Sequence, residues 1–492
     1  MNTGGYDHRI LIRPSGELST KSRTTRRRFQ RRLIEAVEDA LRSTGASFRV
    51  HDDWGRIFIE TSSRAAFDIL PRVFGLASLS EIEATAPAEL SAIIETGERV
   101  YAERVSGGTF AVRARRAGRH PFSSRDINYQ LGAALNRHAE VKLKDPDLTV
   151  GVEVREDCAY FFSSRIHASG GLPAGVEGGA LALISGGYDS AVAAWMMLKR
   201  GIALDYLLCN LAGAAYERAV LSVAKVLADE WAYGARPRIH IVDFEQALRR
   251  LREDVEERYW QVVLKRLMYR VGERIARETG AHALVTGEAV GQVSSQTLAN
   301  LAAIEGSVQI PVLRPLAGFD KLEIIQRSRE IGTYALSEKV REHCALTERR
   351  PITDATPQAA EETESRLDLT LLDEAVAGRR VLMLRELDPS ELVMPYLYTT
   401  TIPQGAIVID TRSRAQHEAW HYPGAERRDF WELFAERPDL DRDRIYVFYC
   451  EIGLKTAQLA EKLQRSGYDA YSFKGGVRAL RSLAQANGLQ PA

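Results

Sequence analysis

Residues 185–190, SGGYDS, follow an apolar run at 180–184 and open a helix at 191–200 that Gly201 stops. Gly186 and Gly187 let backbone N–H groups approach an anion closely. The helix N-terminus adds about half a positive charge, and Ser185 and Ser190 supply hydroxyl donors. Such a loop would hold a pyrophosphate. No Gly-Lys-Ser/Thr follows it, so it is not a Walker loop. Asp189 is either a helix-start charge that suits the dipole or a group that helps hold Mg²⁺ or positions a reacting carbonyl. A second loop, VTGEAVGQVSSQTLANL at 285–301, also follows an apolar run and enters a helix. In a parallel sheet such loops gather at the carboxyl ends of the strands, which brings Gly287, Gln292, Ser294, Ser295 and Gln296 toward a nucleotide. The plainer alternative is a polar helix cap at Ser294 or Ser295. Lys265, on a long helix, suits a phosphate or plain solvent. Lys321 follows the strand-like PVLRPLAGFD and is the better-placed cation.

The four cysteines divide by surroundings. Cys158 and Cys209 lie in apolar, strand-like segments and read as core thiols. Cys450 ends the strand-like RIYVFYC, and EIGLKTAQLAEKL turns directly into a helix. Successive N–H groups in such a loop favour a thiolate, with Lys455 and Thr456 as further donors. Cys344 lies in the polar VREHCALTERR beside Arg341 and His343.

These residues need several supports. The chain has 492 residues, 66 basic and 66 acidic side chains, 45% hydrophobic and 27% charged residues. That size implies three or four domains, and the composition excludes disordered, collagen-like and coiled-coil chains. Four cysteines exclude a disulfide-built secreted scaffold. The N-terminus has no signal-peptide core and no apolar run reaches membrane-span length, so the expected address is the cytoplasm, with no membrane partner. Residues 19–32 hold seven basic and no acidic residues. Residues 110–144 hold eight basic residues, among them Arg113, Arg115, Arg116, Arg119, Arg125 and Lys142, against Asp126 and Glu140. Two such clusters in a neutral chain favour nucleic acid over a merely solvated face.

The patterning predicts an α/β multidomain chain. Residues 1–60 read as a small α+β unit: a strand in HRILIRP, a helix over 24–42, and two strands joined by a turn at 53–55. Residues 61–165 repeat the mixture, with helices from Ser63 and over 125–138. SGGLPAGVEG is a linker. From 180 to 333, apolar strands alternate with helices as in a doubly wound parallel sheet. The acidic stretch near 351–366 reads as part of a connector, and a smaller α/β unit begins at 404.

SGGYDS resembles the signature of the PP-loop ATP pyrophosphatases, which adenylate a carbonyl oxygen and release pyrophosphate. Asp410 and Arg412, then HYPGA at 421–425, then CEIGLKT at 450–456 resemble the rhodanese pattern, whose cysteine carries a persulfide. With GELSTKSRTTRRRF, RRAGRHPFSSRDI, KDPDLTVGVEV, VTGEAVGQVSSQT, LRPL and HCAL, the whole chain resembles the tRNA 4-thiouridine synthetase family. That resemblance implies a ferredoxin-like N-terminal domain (1–60), a THUMP α/β domain (61–165) that grips tRNA, and a doubly wound PP-loop adenylation domain (175–345). A connector (346–403) and a rhodanese α/β domain (404–492) complete it. It places ATP at Leu183, Ile184, Lys265, Gly287 and Gln296, beside Ser185, Gly186, Gly187, Ser190 and Lys321, with Mg²⁺ as companion ion and no dedicated protein metal site. It makes Cys450 the persulfide carrier and Cys344 its disulfide partner; Asp189, from its place in SGGYDS, is the third expected catalytic residue. A cysteine desulfurase would load Cys450, uridine 8 of tRNA would become 4-thiouridine, and a thiamine-pathway sulfur-carrier protein is a further acceptor. A homodimer is compatible. A sulfur carrier alone, or another PP-loop enzyme such as a lysidine or 2-thiouridine synthetase, explains fewer of these features.

Overall fold

The structure, a computed structural model, describes residues 6–486 apart from 54, 339, 341–350, 389–391, 393–394, 435–438 and 452. The chain forms two compact units. One is built from residues 1–177 with Leu198–Ile202 and Glu230–Ala235, and the other from the remainder to the C-terminus.

The first unit holds two five-stranded sheets. One is antiparallel and runs Ile166–Gly170, Leu76–Glu81, His8–Pro14, Arg56–Thr61, Phe48–Asp53. The helix Arg23–Arg42 covers it with Phe29, Leu33, Ala36, Val37 and Leu41, all buried at helical spacing. The sequence reading closes this layer at residue 60. The sheet also takes in 76–81 and 166–170, because Leu76 and Leu79 are as buried as Ile10 and Ile12. The helix expected from Ser63 is only the turn Ala66–Ile69 followed by a 3₁₀ turn, with Pro71 inside.

The second sheet runs Ala84–Pro87, Cys158–Phe162, Leu148–Arg155, Thr109–Ala117, Glu140–Val141 and packs on helices Leu90–Val105 and Ser124–Leu135. Ser123 and Asp126 form a capping box that starts the second helix. Cys158 is half-buried. Glu153, fully enclosed, accepts from Arg13 Nε at 2.9 Å, Arg56 Nε at 2.6 Å and Arg155 at 2.7 Å, tying one sheet to the other.

The second unit opens with a six-stranded sheet ordered Val312–Leu313, Leu284–Val285, Gly179–Leu183, Ala203–Asn210, Arg238–Asp243, Arg380–Met383. All neighbours are parallel except the last pair. The expected connector contributes to this domain. Helices Pro357–Glu364 and Thr370–Ala377 bury Ala360, Leu371, Leu372 and Val376 in the core shared with the long helix Trp260–Thr279. Glu364 accepts from Arg266 and Arg270 at 2.7 and 2.8 Å, so this acidic stretch neutralises the buried Arg266 and the half-buried Arg270. A second, wholly parallel sheet runs Tyr398–Thr399, Asp469–Phe473, Ile445–Tyr449, Ile407–Asp410, Glu426–Arg427, flanked by helices Leu454–Arg465 and Gly476–Ala486. No described helix is long and apolar enough to cross a membrane.

Candidate functional site

The phosphate loop leaves the strand Gly179–Leu183 and enters the helix Tyr188–Lys199. Gly186 makes the turn with φ +78°, which L side chains rarely adopt. Ser190 Oγ accepts from Ser185 N at 3.2 Å and donates to the Gly187 carbonyl at 3.1 Å, stapling the loop to its own helix. Tyr216 Oη donates to the Ser185 carbonyl at 3.2 Å. Gly287 comes so close that a Cβ there would lie 2.5 Å from Asp189 C and Ser190 N. The second loop is therefore pressed onto the first.

Together they enclose a cavity of about 420 Å³. Leu183, Ile184, Ser185, Asp189, Ser190, Lys265, Gly287 and Gln296 line it, with Leu207, Cys209, Leu211 and Met268 as an apolar side. Gly186, Gly187 and Lys321 do not line it. Lys321 Nζ sits 3.0 Å from both oxygens of Asp189, and Gln292 Nε2 donates to the same carboxylate at 2.9 Å. Asp189 is thus more than a helix-start charge: it ties the helix Lys321–Glu330 and the second loop to the phosphate loop. Both of its oxygens are engaged by Lys321, and one also by Gln292. No cluster of three or more metal-ligating side chains occurs among the described residues.

Lys265 is enclosed rather than solvated. Its Nζ donates to Glu288 Oε1 at 2.8 Å, while Tyr269 and Arg314 donate to Glu288 Oε2 at 2.6 and 2.9 Å. Burial pushes the Glu288 carboxyl up, but Lys265, Tyr269 and Arg314 hold it down to about 2. Arg314 also donates to Glu305 at 2.6 Å, so two cations and two carboxylates share this cluster, and Lys265 is its cation on the cavity wall. Thr297, not Ser294 or Ser295, caps the helix Leu298–Glu305. Ser295 and Gln296 face the cavity, and Gln296 Oε1 accepts from Ala289 N at 3.2 Å.

The sequence reading missed Glu288, Tyr269, Arg314 and Tyr216. Glu288 alone carried a signal, an acid inside a strand-end loop otherwise rich in Gly, Ser and Gln. Cys344 lies outside the described residues. Val340, the last described residue before it, packs against the phosphate loop: a Cβ on Gly186 would meet Val340 Cγ1 at 3.1 Å.

Cys450 follows Ile445–Tyr449, the central strand of the wholly parallel sheet, and is buried. Its Sγ accepts from Gly453 N at 3.3 Å and lies 3.7 Å from Thr456 Oγ1. The Lys455 side chain is outside the described residues. Gly453 has φ +87° and Gly476 has φ +62°. A Cβ on Gly476 would strike the Cys450 carbonyl at 2.5 Å, so only glycine lets the loop close. Asp410, fully buried, accepts from Arg412 at 2.7 Å and from Tyr449 Oη at 2.9 Å. Arg412 also faces Glu451 at 3.7 Å. The two residues flanking Cys450 are thereby held from behind.

A curated tRNA sulfurtransferase of Pyrobaculum aerophilum is 39% identical over 472 residues, covering 94% of this chain and 96% of that protein. The chain belongs to the tRNA sulfurtransferase family. A family member from Marinobacter nauticus is 34% identical over 94% of this chain and 98% of its own length. Four families match in order: a ThiI ferredoxin-like domain at 9–80, a THUMP domain at 77–163, the family described as thiamine biosynthesis protein (ThiI) at 175–369, and a rhodanese-like domain at 398–483. Among solved structures, a 4-thiouridine synthetase in complex with RNA and bound ATP is 33% identical. It covers 76% of this chain and 99% of its own, with a TM-score of 0.67. The family's ferredoxin-like, THUMP, PP-loop and rhodanese domains are thus all present.

Proposed function

We propose that the protein converts uridine 8 of tRNA to 4-thiouridine, using ATP to activate the base and Cys450 to deliver sulfur. The observation that carries this reading is one unit holding both a phosphate loop over a 420 Å³ cavity and a glycine-built thiol loop. ATP would lie with its phosphates on Ser185–Ser190 and Lys265 alongside, between Leu183, Ile184, Gly287 and Gln296. Lys321 would hold Asp189 and meet the phosphates from the loop's rim. Magnesium would come with the nucleotide, and no step is assigned to it. The exposed arginines Arg113, Arg115, Arg116, Arg119 and Arg125, with those on the helix Arg23–Arg42, supply the positive face for the tRNA backbone.

The uridine O4 attacks the α-phosphorus and pyrophosphate leaves, turning a poor leaving oxygen into AMP. Backbone N–H groups and Lys265 stabilise the charge spread over the phosphates. The terminal sulfur of a Cys450 persulfide, loaded by a cysteine desulfurase, then adds to C4 and expels AMP. Cys344 thiolate attacks the Cys450 sulfur, the C4 thione is released, and a Cys344–Cys450 disulfide forms. A dithiol reductant returns both cysteines to thiols. In an alternative order Cys344 first frees hydrosulfide from the persulfide. With tRNA and a desulfurase as partners, the reaction would run in the cytoplasm.

The test is purified protein with ATP, tRNA, cysteine and a desulfurase, following pyrophosphate and thiocarbonyl absorbance together. Both should rise and both should require tRNA; absence of both refutes the reading. The thiamine description matched at 175–369 favours a second acceptor for the Cys450 sulfur. Asp189→Ala should then keep thiamine-independent growth while losing 4-thiouridine, and loss of both would remove the relay.

A further inference from the structure

The rhodanese-like domain reaches into the PP-loop domain at one buried polar contact. Glu461, on the helix Leu454–Arg465, accepts from Ala215 N at 2.8 Å through Oε2. Ala215 is the third residue of the helix Gly213–Glu230, so its N–H is one of the donors a helix N-terminus leaves unpaired. The other oxygen of Glu461 accepts from Arg465 at 2.7 Å. Around the contact, Ala215, Leu397 and Ala457 form a small apolar cluster with Tyr398 packed on it. A carboxylate this enclosed is costly unless a partner meets it, and here the partners are a helix N-terminus and one arginine.

The next residue after Ala215 is Tyr216. Its ring lines the nucleotide cavity and its hydroxyl holds the Ser185 carbonyl of the phosphate loop. Glu461 therefore fixes the first turn of a helix whose adjacent side chain fixes the loop. At its other end, the helix bearing Glu461 is capped by Gly453, whose N–H donates to Cys450 Sγ. Three hydrogen bonds, the helix Leu454–Arg465 and the peptide link from Ala215 to Tyr216 thus run from the thiol loop to the phosphate loop.

We propose that Glu461 is a positioning residue of the ATP site, through which the docked rhodanese-like domain sets the phosphate loop. This rests on the cavity being the ATP site, as argued above. The domain would then act on activation of the base as well as on sulfur delivery. Coupling of this kind is reciprocal: if docking tightens ATP binding, ATP must tighten docking.

Full-length Glu461→Ala, which removes the acceptor, tests this. ATP affinity by calorimetry should weaken about fivefold, a typical coupling between linked sites. Glu461→Gln keeps an acceptor carbonyl and should recover to within about twofold. Desulfurase loading of Cys450 should be unchanged in both, since neither touches the thiol loop. Exposed Glu418→Gln, on the same domain and outside this contact, should bind ATP as wild type does. Tyr216→Phe should weaken ATP binding as Glu461→Ala does, and the double variant should be no worse than either single one. In wild type, but not in Glu461→Ala, ATP should slow amide exchange across the helix Leu454–Arg465. Unchanged ATP affinity in Glu461→Ala, failure of the glutamine to restore it, or strict additivity with Tyr216→Phe overturns the proposal. If wild type binds ATP yet makes no tRNA-dependent pyrophosphate, the activation chemistry fails while these affinity comparisons still decide the role of Glu461.

Discussion

Gly287→Ala perturbs the nucleotide site by a single methyl group. The added Cβ would sit 2.5 Å from Asp189 C, 2.5 Å from Ser190 N and 2.8 Å from Asp189 O. Ordinary contacts between such atoms begin near 3.5 Å, so the two loops must part by about 1 Å. All three obstacles are backbone at the start of the phosphate-loop helix, and no flexible side chain can swing aside. The shift falls on N–H groups that would face the phosphates, and a displacement of about 1 Å costs roughly a hundredfold in rate. The assay is tRNA-dependent pyrophosphate release over a range of ATP concentrations, with Cys450 persulfide loading as a control for the rest of the chain. Activity should fall about a hundredfold in kcat/KM while loading stays at the wild-type level. A variant with wild-type kcat/KM would show that the loops do not need this close approach, and the placement of the phosphates would be wrong.

Asp189→Ala frees Lys321 and Gln292 and should lower pyrophosphate release about a hundredfold, with tRNA binding retained in a filter assay. Unchanged release would remove Asp189 from the site. Gly476→Ala drives a methyl into the carbonyls of Cys450 and Glu451 at 2.5 and 2.4 Å, and persulfide loading should fall about a hundredfold with ATP affinity intact. Loss of ATP affinity instead would mean the damage is not confined to the thiol loop. Burial raises the Glu153 carboxyl, but Arg13, Arg56 and Arg155 outweigh it and bring it from an ordinary 4.5 to about 2. Its contribution, of order 3 kcal/mol, is complete above about pH 4.5 and fades as pH falls toward about 2. The gap in thermal stability between wild type and Glu153→Gln should therefore be widest near neutrality and close below pH 4.5. A gap that does not change with pH would refute the assignment.

What the sequence makes legible is local. SGGYDS carries its turn glycine, hydroxyls and helix start within six residues, so strand, loop and helix can be read together. Cys450 is legible for the same reason, with a strand before it and a helix after it. Residues whose roles depend on distant partners stay hidden. Tyr269 and Arg314 converge on Glu288 from a helix and a strand end, and neither has a distinctive neighbour in sequence. Tyr216 looks like any aromatic near a helix start until its hydroxyl is seen on Ser185. The acidic stretch near 351–366 reads as a connector because charge dominates its composition. Glu364 points inward instead, where two arginines of the long helix wait for it. The first sheet is misjudged in extent because 76–81 and 166–170 are distant in sequence and join it only by pairing.

The central claim is that one chain activates the base with ATP at one loop and delivers sulfur from another. Cys450→Ala tests it most directly, with pyrophosphate and 4-thiouridine measured in the same reaction. The variant should release tRNA-dependent pyrophosphate at the wild-type rate and form no multi-turnover 4-thiouridine. Continued multi-turnover 4-thiouridine formation, or loss of pyrophosphate along with the thiolated base, would contradict it.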